Sequence, residues 1–568
     1  MKKTHKRFIP LLLALSLSVA ACGTGAASDE IPKNTTTKSN TTEDSNDTDE
    51  TVGGPDHIAD AIEFEAVVVD FPEAQMTYPV TNGGTVSMFI SFSGVKAKYY
   101  TSLSESPTVK QWVEDTGIDI EFVHPPAGSD SDNFTLLAST DDLPDIIVNG
   151  RSYYPGGDVA AVNDGVFMDL TDLVQTNMPD YQYFLDNNDL FRKAATVPSG
   201  DVYSIYNYKD VQAPFYHRPQ VRKDWMEEFG MEMLYTFDDW EAYFDKVLET
   251  KPGVSPFQLT NSGIEGTFTG TFEAGSQGVG AYFQTNGKVR YRYDEPGLKD
   301  YFLLMNKWWE KGYINPDFAT TDMSLEDALV NGTAASVVAN TDGVFTKAAE
   351  VGTEVMTVPY PRVNKWDPYN MDIFYFPQNG TPTNIAAYSE NAELALQFLN
   401  YGYTREGSGV ANFGETGVTW EMGDDGVPKF TDYALNQTEI PLSDVEDTLR
   451  LHSIWSKYRY GDDISMIRNV KNPETWDYRA KWGIGLGDDP TVDNSYALPG
   501  LSFTTEQADE LASIQNNIDT YASEMALKFV IGDESLDNYD AFVDRLNQLG
   551  MQRLIEIHQE AYDTFLAK

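Results

Sequence analysis

The side chains with the most chemistry to offer sit where apolar runs end. Ser91 and Phe92 close the run that begins at Thr85, and Asn149, Gly150, Arg151, Tyr153 and Tyr154 follow Ile146-Ile147-Val148. Asp342 follows the apolar run Ser336–Ala339, Arg222, Asp224 and Trp225 open a predicted helix, and Tyr203, Tyr206 and Tyr208 alternate on a predicted strand. In open α/β sheets a ligand lies beyond the carboxyl ends of the strands. Asn, Asp and Arg offer planar hydrogen-bonding groups, and Tyr and Trp lay a large rigid surface against a flat ligand face. That chemistry suits holding a polar ligand with a flat face; it does not break a bond. Plainer readings compete: an aromatic side chain is more often core than cleft, and Arg222 with Asp224 reads equally as a structural ion pair. Arg151, Asn149, Trp225 and Asp342 carry the most weight.

Motifs for bond-breaking chemistry are missing. The sequence has no phosphate-binding Walker loop, no His-Glu-x-x-His and no Gly-x-Ser-x-Gly elbow. Gly483–Gly487 lacks dinucleotide spacing and reads as a loop, and His558 reads as a packed helix residue. Asp130-Ser131-Asp132 lacks the central Gly and closing acid of a calcium loop, and Asp424-Asp425-Gly426 reads as a turn. No cofactor, no metal and no enzymatic activity are expected. A carboxylate pair has no local signature, so among 88 Asp and Glu a cell-surface glycoside hydrolase stays open as an alternative. So does a sugar sensor or adhesin without transport.

Cys22 is the only cysteine, which excludes an intrachain disulfide and a Cys-based zinc site. Before it stand Lys2, Lys3, Lys6 and Arg7, an apolar run from Phe8 to Ala20, and Val19-Ala20-Ala21. That is the layout of a secretory signal over residues 1–21, too short for a span of about 20 apolar residues. Small residues followed at once by Cys resemble the bacterial lipobox. The resemblance implies a diacylglycerol on Cys22, and two acyl chains anchor stably where one does not. The expected location is the outer face of a cell membrane. Residues 22–60, with IPKNTTTKSNTTEDSNDTDETVGG, hold too little apolar surface to fold and are expected to be an acidic tether. A formal charge of -48 repels nucleic acid and excludes it as a partner.

The elements that must position these residues are an alternating series. Val86, Met88, Ile90 and Phe92 alternate as a strand; Ser106-Pro107 opens a helix with Val109, Trp112 and Val113 inward, which Gly117 ends. Ile118, Ile120 and Phe122 alternate again, a short helix follows near Phe134–Ala138, and Ile146–Val148 is a third strand. Such a β-α-β-α-β run marks an α/β fold with a mostly parallel sheet. Ser389 is placed to cap a helix carrying Ala392, Ala395, Phe398 and Leu399, and the last helix carries Leu554, His558, Ala561 and Phe565. The state of residues 61–80 is left open.

Several segments, in order, resemble the extracellular solute-binding proteins of carbohydrate ABC transporters, of the long lipoprotein type of Gram-positive bacteria. They are Leu143-Pro144-Asp145-Ile146-Ile147; Val221-Arg222-Lys223-Asp224-Trp225 with Thr236–Trp240; Lys311–Phe318; Phe398-Leu399-Asn400-Tyr401 through Glu406-Gly407 to Asn412–Val418; and Phe529-Val530-Ile531-Gly532 with Gln559–Asp563. The resemblance implies a periplasmic-binding-protein-like fold, with two α/β lobes, a hinge and a ligand cleft. Lobe 1 would be 80–200 plus 355–425, and lobe 2 would be 201–354 plus 426–568. It implies a monomer that takes an oligosaccharide and docks on a permease. Glu415 and Trp420, in the Gly-rich matching segment, join the candidate ligand residues. Where some long members carry a calcium loop, this chain has Glu249–Pro256 without the acids, and no calcium is expected there.

Overall fold

The computed structural model describes residues 71–209, 217–275, 281–365, 367, 369–370, 378–450, 455–461, 466–471, 492–493 and 497–568. Cys22, the signal, the tether and Gly483–Gly487 lie outside them.

Nine strands build the two sheets that matter for the site. In chain order they are β1 (Thr85–Phe89), β2 (Asp119–Val123), β3 (Ile146–Val148), β4 (Ile205–Lys209), β5 (His217–Arg222), β6 (Ser336–Asn340), β7 (Val355–Thr357), β8 (Gln378–Ile385) and β9 (Tyr458–Arg459). The first sheet has the order β9-β4-β8-β3-β1-β2, and the second has β6-β5-β7. In the first, β1 runs parallel to β2 and β3, and β4 parallel to β9; β8 alone is antiparallel to its neighbours. In the second, β5 is antiparallel to both partners.

Each sheet has its own core. The first packs around Trp112 and Trp455, with Val86, Met88, Ile146, Ile205 and Tyr458. The second packs around Trp240 and Trp308, with Val221, Phe257 and Val338, and is covered by the C-terminal helices through Phe529 and Leu554. Mostly parallel sheets bury both faces, which is why β3 reads as an unbroken apolar run.

Local signals explain the helices. Pro107–Thr116 starts on Pro and stops at Gly117, whose φ of 67° few other residues tolerate. Ser106 precedes it, but its hydroxyl makes no capping bond. Asn391, not Ser389, holds the N-cap position of the helix Ala392–Asn400, without a side-chain capping bond; Ser389 instead bonds Asp145 at 2.6 Å and accepts from the Asn391 amide at 3.1 Å. Residues 71–80 belong to the fold: Phe71 is buried in the first core, and the Val80 amide donates to the Thr116 carbonyl.

The strand pairings move the expected lobe edges. β4 and β9 lie in the first sheet although 201–354 and 426–568 were assigned to lobe 2, and β7 lies in the second although 355–425 was assigned to lobe 1. The chain leaves the first sheet only after Lys209 and rejoins it at Gln378.

Candidate ligand cleft

The crossings decide which sheet edges face each other. β4 is parallel to β1 and β3, so its end at Lys209 lies on their carboxyl edge, and His217 begins β5 only a few residues later. β6 and β7 run against β5, so Asn340 and Thr357 end on that same side. The carboxyl edge of the first sheet and the His217–Asn340 edge of the second are therefore the edges that adjoin the crossing, and a ligand held between the two sheets would have them as its walls. Arg151 bridges to the C-terminal segment, donating to the Leu501 carbonyl at 3.0 Å, and Asn163 donates to Thr505 at 2.7 Å. A small apolar cluster of Leu190 and Ala194 with Leu498, Leu501, Ala561 and Phe565 closes the same seam.

On the first wall, Ser91 is exposed and Phe92 stacks on His124 with ring centres 4.7 Å apart. His124 Nδ1 bonds the Ile90 carbonyl while Nε2 accepts from the Leu103 amide, which sets the tautomer; burial lowers its pKa. Asn149 holds a φ of 66°, and its side-chain oxygen accepts from Ser152 at 2.7 Å. Arg151 donates to the Tyr206 hydroxyl at 2.7 Å, and its Nε lies 3.9 Å from the buried Asp158. Tyr206 and Asp158 keep the guanidinium firmly charged despite its burial. Tyr153 packs edge-on to Phe89 at 6.0 Å and tilts against Phe134 at 5.6 Å.

On the second wall, a cavity of about 230 Å³ opens between His217, Gln258, Thr260, Ser262, Glu326 and Ala339. Burial drives the His217 pKa down to about 4, with the Glu326 carboxylate pulling the other way, so the imidazole is neutral at ordinary pH. The backbone here is pinned: Tyr360 donates to the His217 carbonyl at 3.0 Å and Gln220 to the Ala339 carbonyl at 2.9 Å. Asp342 is 2% exposed in the first turn of the helix Thr341–Val351, where it acts electrostatically on Arg468. A larger cavity, about 530 Å³, lies between Asn82 and Leu394 at the amino edge of the first sheet, away from every crossing.

The structure thus gathers Ser91, Asn149, Arg151 and Tyr153 on one wall and places Asp342 on the edge of the other. Tyr206 lies beneath Arg151, 3% exposed. Arg222, Asp224 and Trp225 lie elsewhere: Arg222 ends β5, five residues from His217 and roughly 17 Å along the strand. There Arg222 grips Asp224 with bonds of 2.9 and 2.6 Å and stacks 4.4 Å over Trp225. Trp420 is core, its indole donating to the Gly414 carbonyl and lying against Gly409, where a Cβ would meet it at 2.3 Å. Glu415 is half-buried on the turn before it. Sequence reasoning missed His217, Gln258 and Glu326. The available signal was Phe257-Gln258-Leu259, a polar residue between two core positions that are 0% and 3% exposed.

Two α/β lobes, joined by crossing segments and turned edge to edge, define a hinged binding protein of the periplasmic-binding-protein type. Residues 100–408 match the family described as bacterial extracellular solute-binding protein, and the chain belongs to that family. It is similar to the fructooligosaccharide ABC transporter substrate-binding protein FusA of Streptococcus pneumoniae, 20% identical over 523 residues that cover 88% of this chain and 94% of the relative. The polygalacturonan/rhamnogalacturonan-binding protein YtcQ of Bacillus subtilis is 21% identical over 500 residues, 83% of this chain and 91% of that one. The crystal structure of the alginate-binding protein AlgQ2 superposes with a TM-score of 0.69 at 17% identity, covering 86% of this chain and 99% of that chain.

Proposed function

We propose that this protein captures an oligosaccharide outside the cell and hands it to the permease of an ABC importer. The observation that carries the proposal is the cleft itself: two walls rich in hydrogen-bonding groups, Ser91, Asn149 and Arg151 on one and His217, Gln258 and Glu326 on the other, on the edges where the chain crosses between sheets. The relatives support it, since FusA, YtcQ and AlgQ2 are all named for glycans. The site does its work by holding a ligand, and no catalytic step is assigned to it. Closure of the lobes about the crossing segments would bring the walls together on the sugar.

Within this proposal Ser91, Asn149 and Arg151 serve the ligand on the first wall, and His217, Gln258 and Glu326 on the second. Cys22 carries the lipid that holds a monomer near its permease on the outer face of a Gram-positive membrane, and residues 22–60 give it reach. Isothermal calorimetry against a panel of oligosaccharides tests the function. Heat with at least one glycan is expected. No heat with any glycan, together with clear heat for a peptide, would remove carbohydrate as the ligand class.

A further inference from the structure

The cavity on the second wall has an unusual member. Gln258 is 5% exposed and lines the cavity, yet its side-chain amide bonds no protein group. Its backbone is fixed, the amide donating to the Ser336 carbonyl at 3.0 Å, and Phe257 and Leu259 anchor it on either side in the core. A side-chain amide without a protein partner must bond water or a ligand, because leaving its donors and acceptor unmet costs free energy. Its two N–H donors and its oxygen acceptor are therefore available to whatever fills the cavity that Gln258 lines. One face that donates and accepts at once matches neighbouring hydroxyls on a sugar ring.

Size and charge narrow the ligand further. At about 230 Å³ the cavity is smaller than the roughly 300–1,000 Å³ that encloses a whole drug-sized molecule, so it takes one ring and not a chain. Among the described residues its lining holds one carboxylate, Glu326, and no Lys or Arg. Ser324 donates to that carboxylate at 2.7 Å and fixes it. His217 faces it as a neutral imidazole. The nearest cation in sequence, Arg218, is fully buried behind the wall and donates to the His217 carbonyl at 3.0 Å. A ring bearing its own carboxylate would enter beside Glu326 with no cation among the described lining residues to balance it, and like charges at close range repel.

We infer that this cavity is a subsite for one uncharged sugar ring, that Gln258 is the residue that reads its hydroxyls, and that uronic-acid rings are excluded there. The inference rests on the carbohydrate proposal above and narrows it: the transported glycan ends in, or contains, a neutral residue at this position.

The test uses the chain from Cys22 onward and two probe sets, kestose, maltotriose and mannotriose as neutral glycans and trigalacturonate and trimannuronate as acidic ones. Calorimetry on wild type, Gln258→Leu and Gln258→Glu is read beside the thermal midpoint of each. Heat with a neutral glycan is expected, with affinity reduced at least about tenfold in both variants and no heat with the acidic set. The size-matched Gln258→Glu keeps the test decisive if the Leu variant folds poorly. Acidic trisaccharides binding more tightly than every neutral one would overturn the exclusion. Unchanged neutral-glycan affinity in folded variants would overturn the subsite and leave the carbohydrate proposal standing. Silence from all five glycans with heat from a peptide would sink both.

Discussion

Arg151 donates to the Tyr206 hydroxyl at 2.7 Å with one terminal nitrogen and to the Leu501 carbonyl at 3.0 Å with the other. One side chain thus ties the carboxyl edge of the first sheet to the segment leading into the last helices, with Asp158 3.9 Å behind it. Arg151→Ala would leave the buried Asp158 without its cation and the Tyr206 hydroxyl without its donor. The expected loss is about 3 kcal/mol in urea denaturation. Arg151→Lys is expected to recover only part, because a single ammonium cannot imitate the planar fork that reaches two partners. Equal stability of Arg151→Ala and wild type would show that the seam does not depend on it.

Arg222, Asp224 and Trp225 make the opposite prediction. They form an ion pair under a cation–π contact at the end of β5 remote from His217. Trp225→Ala is expected to lower stability by roughly 1–2 kcal/mol and to leave glycan affinity within about twofold of wild type. A large affinity loss in a folded Trp225 variant would return this triad to the ligand site.

The contrast between these two sites marks what was legible in the sequence. Strands β1 and β3 and the helix Pro107–Thr116 were legible because alternation, Pro and Gly act within a few residues. Asn149 and Arg151 were legible as wall residues because they follow β3 directly. Arg222 was misplaced because a sequence does not say which end of β5 meets the cleft; that is fixed by antiparallel pairing with Ser336–Asn340, more than a hundred residues away. The same long-range pairing put Ile205–Lys209 into the first sheet and Val355–Thr357 into the second. Trp420 was a candidate ligand residue because it lies in the Gly-rich matching segment, but the bare Cα of Gly409 gives its ring a place in the core. Gln258 resembles any polar residue in a loop until its apolar neighbours are seen to be buried.

His558 supplies a prediction in pH. It stacks on Tyr282 with ring centres 3.6 Å apart, Nδ1 bonds the Leu554 carbonyl at 2.8 Å, and burial pushes its pKa from 6.5 down to about 4. Between those values the folded protein keeps His558 neutral while the unfolded chain takes up a proton. Stability therefore falls as pH drops from 6.5 to about 4, by an amount on the order of 3 kcal/mol from this group. His217, also near 4, acts in the same direction. His558→Phe keeps the stacking and removes the titration. The difference in stability between wild type and this variant should change steadily across that window and be flat above pH 7; a constant difference from pH 4 to 8 would refute the assignment.

Glu446 ties a buried charge cluster together where the helix Leu442–Leu449 packs between the two lobes. Its carboxylate meets Arg450 at 2.6 Å and Arg468 at 3.2 Å, with the Glu446 and Arg450 side chains only 4% and 2% exposed. On one side this helix holds Lys98 and Tyr99 through Asp444, and on the other the Ser443 amide donates to Glu350. Burial raises the Glu446 pKa, but the two guanidinium groups outweigh it and leave it below the ordinary carboxylate value. The pair therefore contributes its stability above that ordinary value and loses it as pH falls through the lowered one. Glu446→Gln keeps the shape and deletes the charge, leaving two buried cations facing a neutral amide. The expected loss is about 3–5 kcal/mol near neutral pH. Replacing Glu446 with Leu and both arginines with Met should recover a substantial part of that loss, because no buried charge then remains to be balanced. If the triple variant is less stable than Glu446→Gln, the cluster contributes through its hydrogen bonds to the Asn412 carbonyl and its neighbours, and not through charge balance.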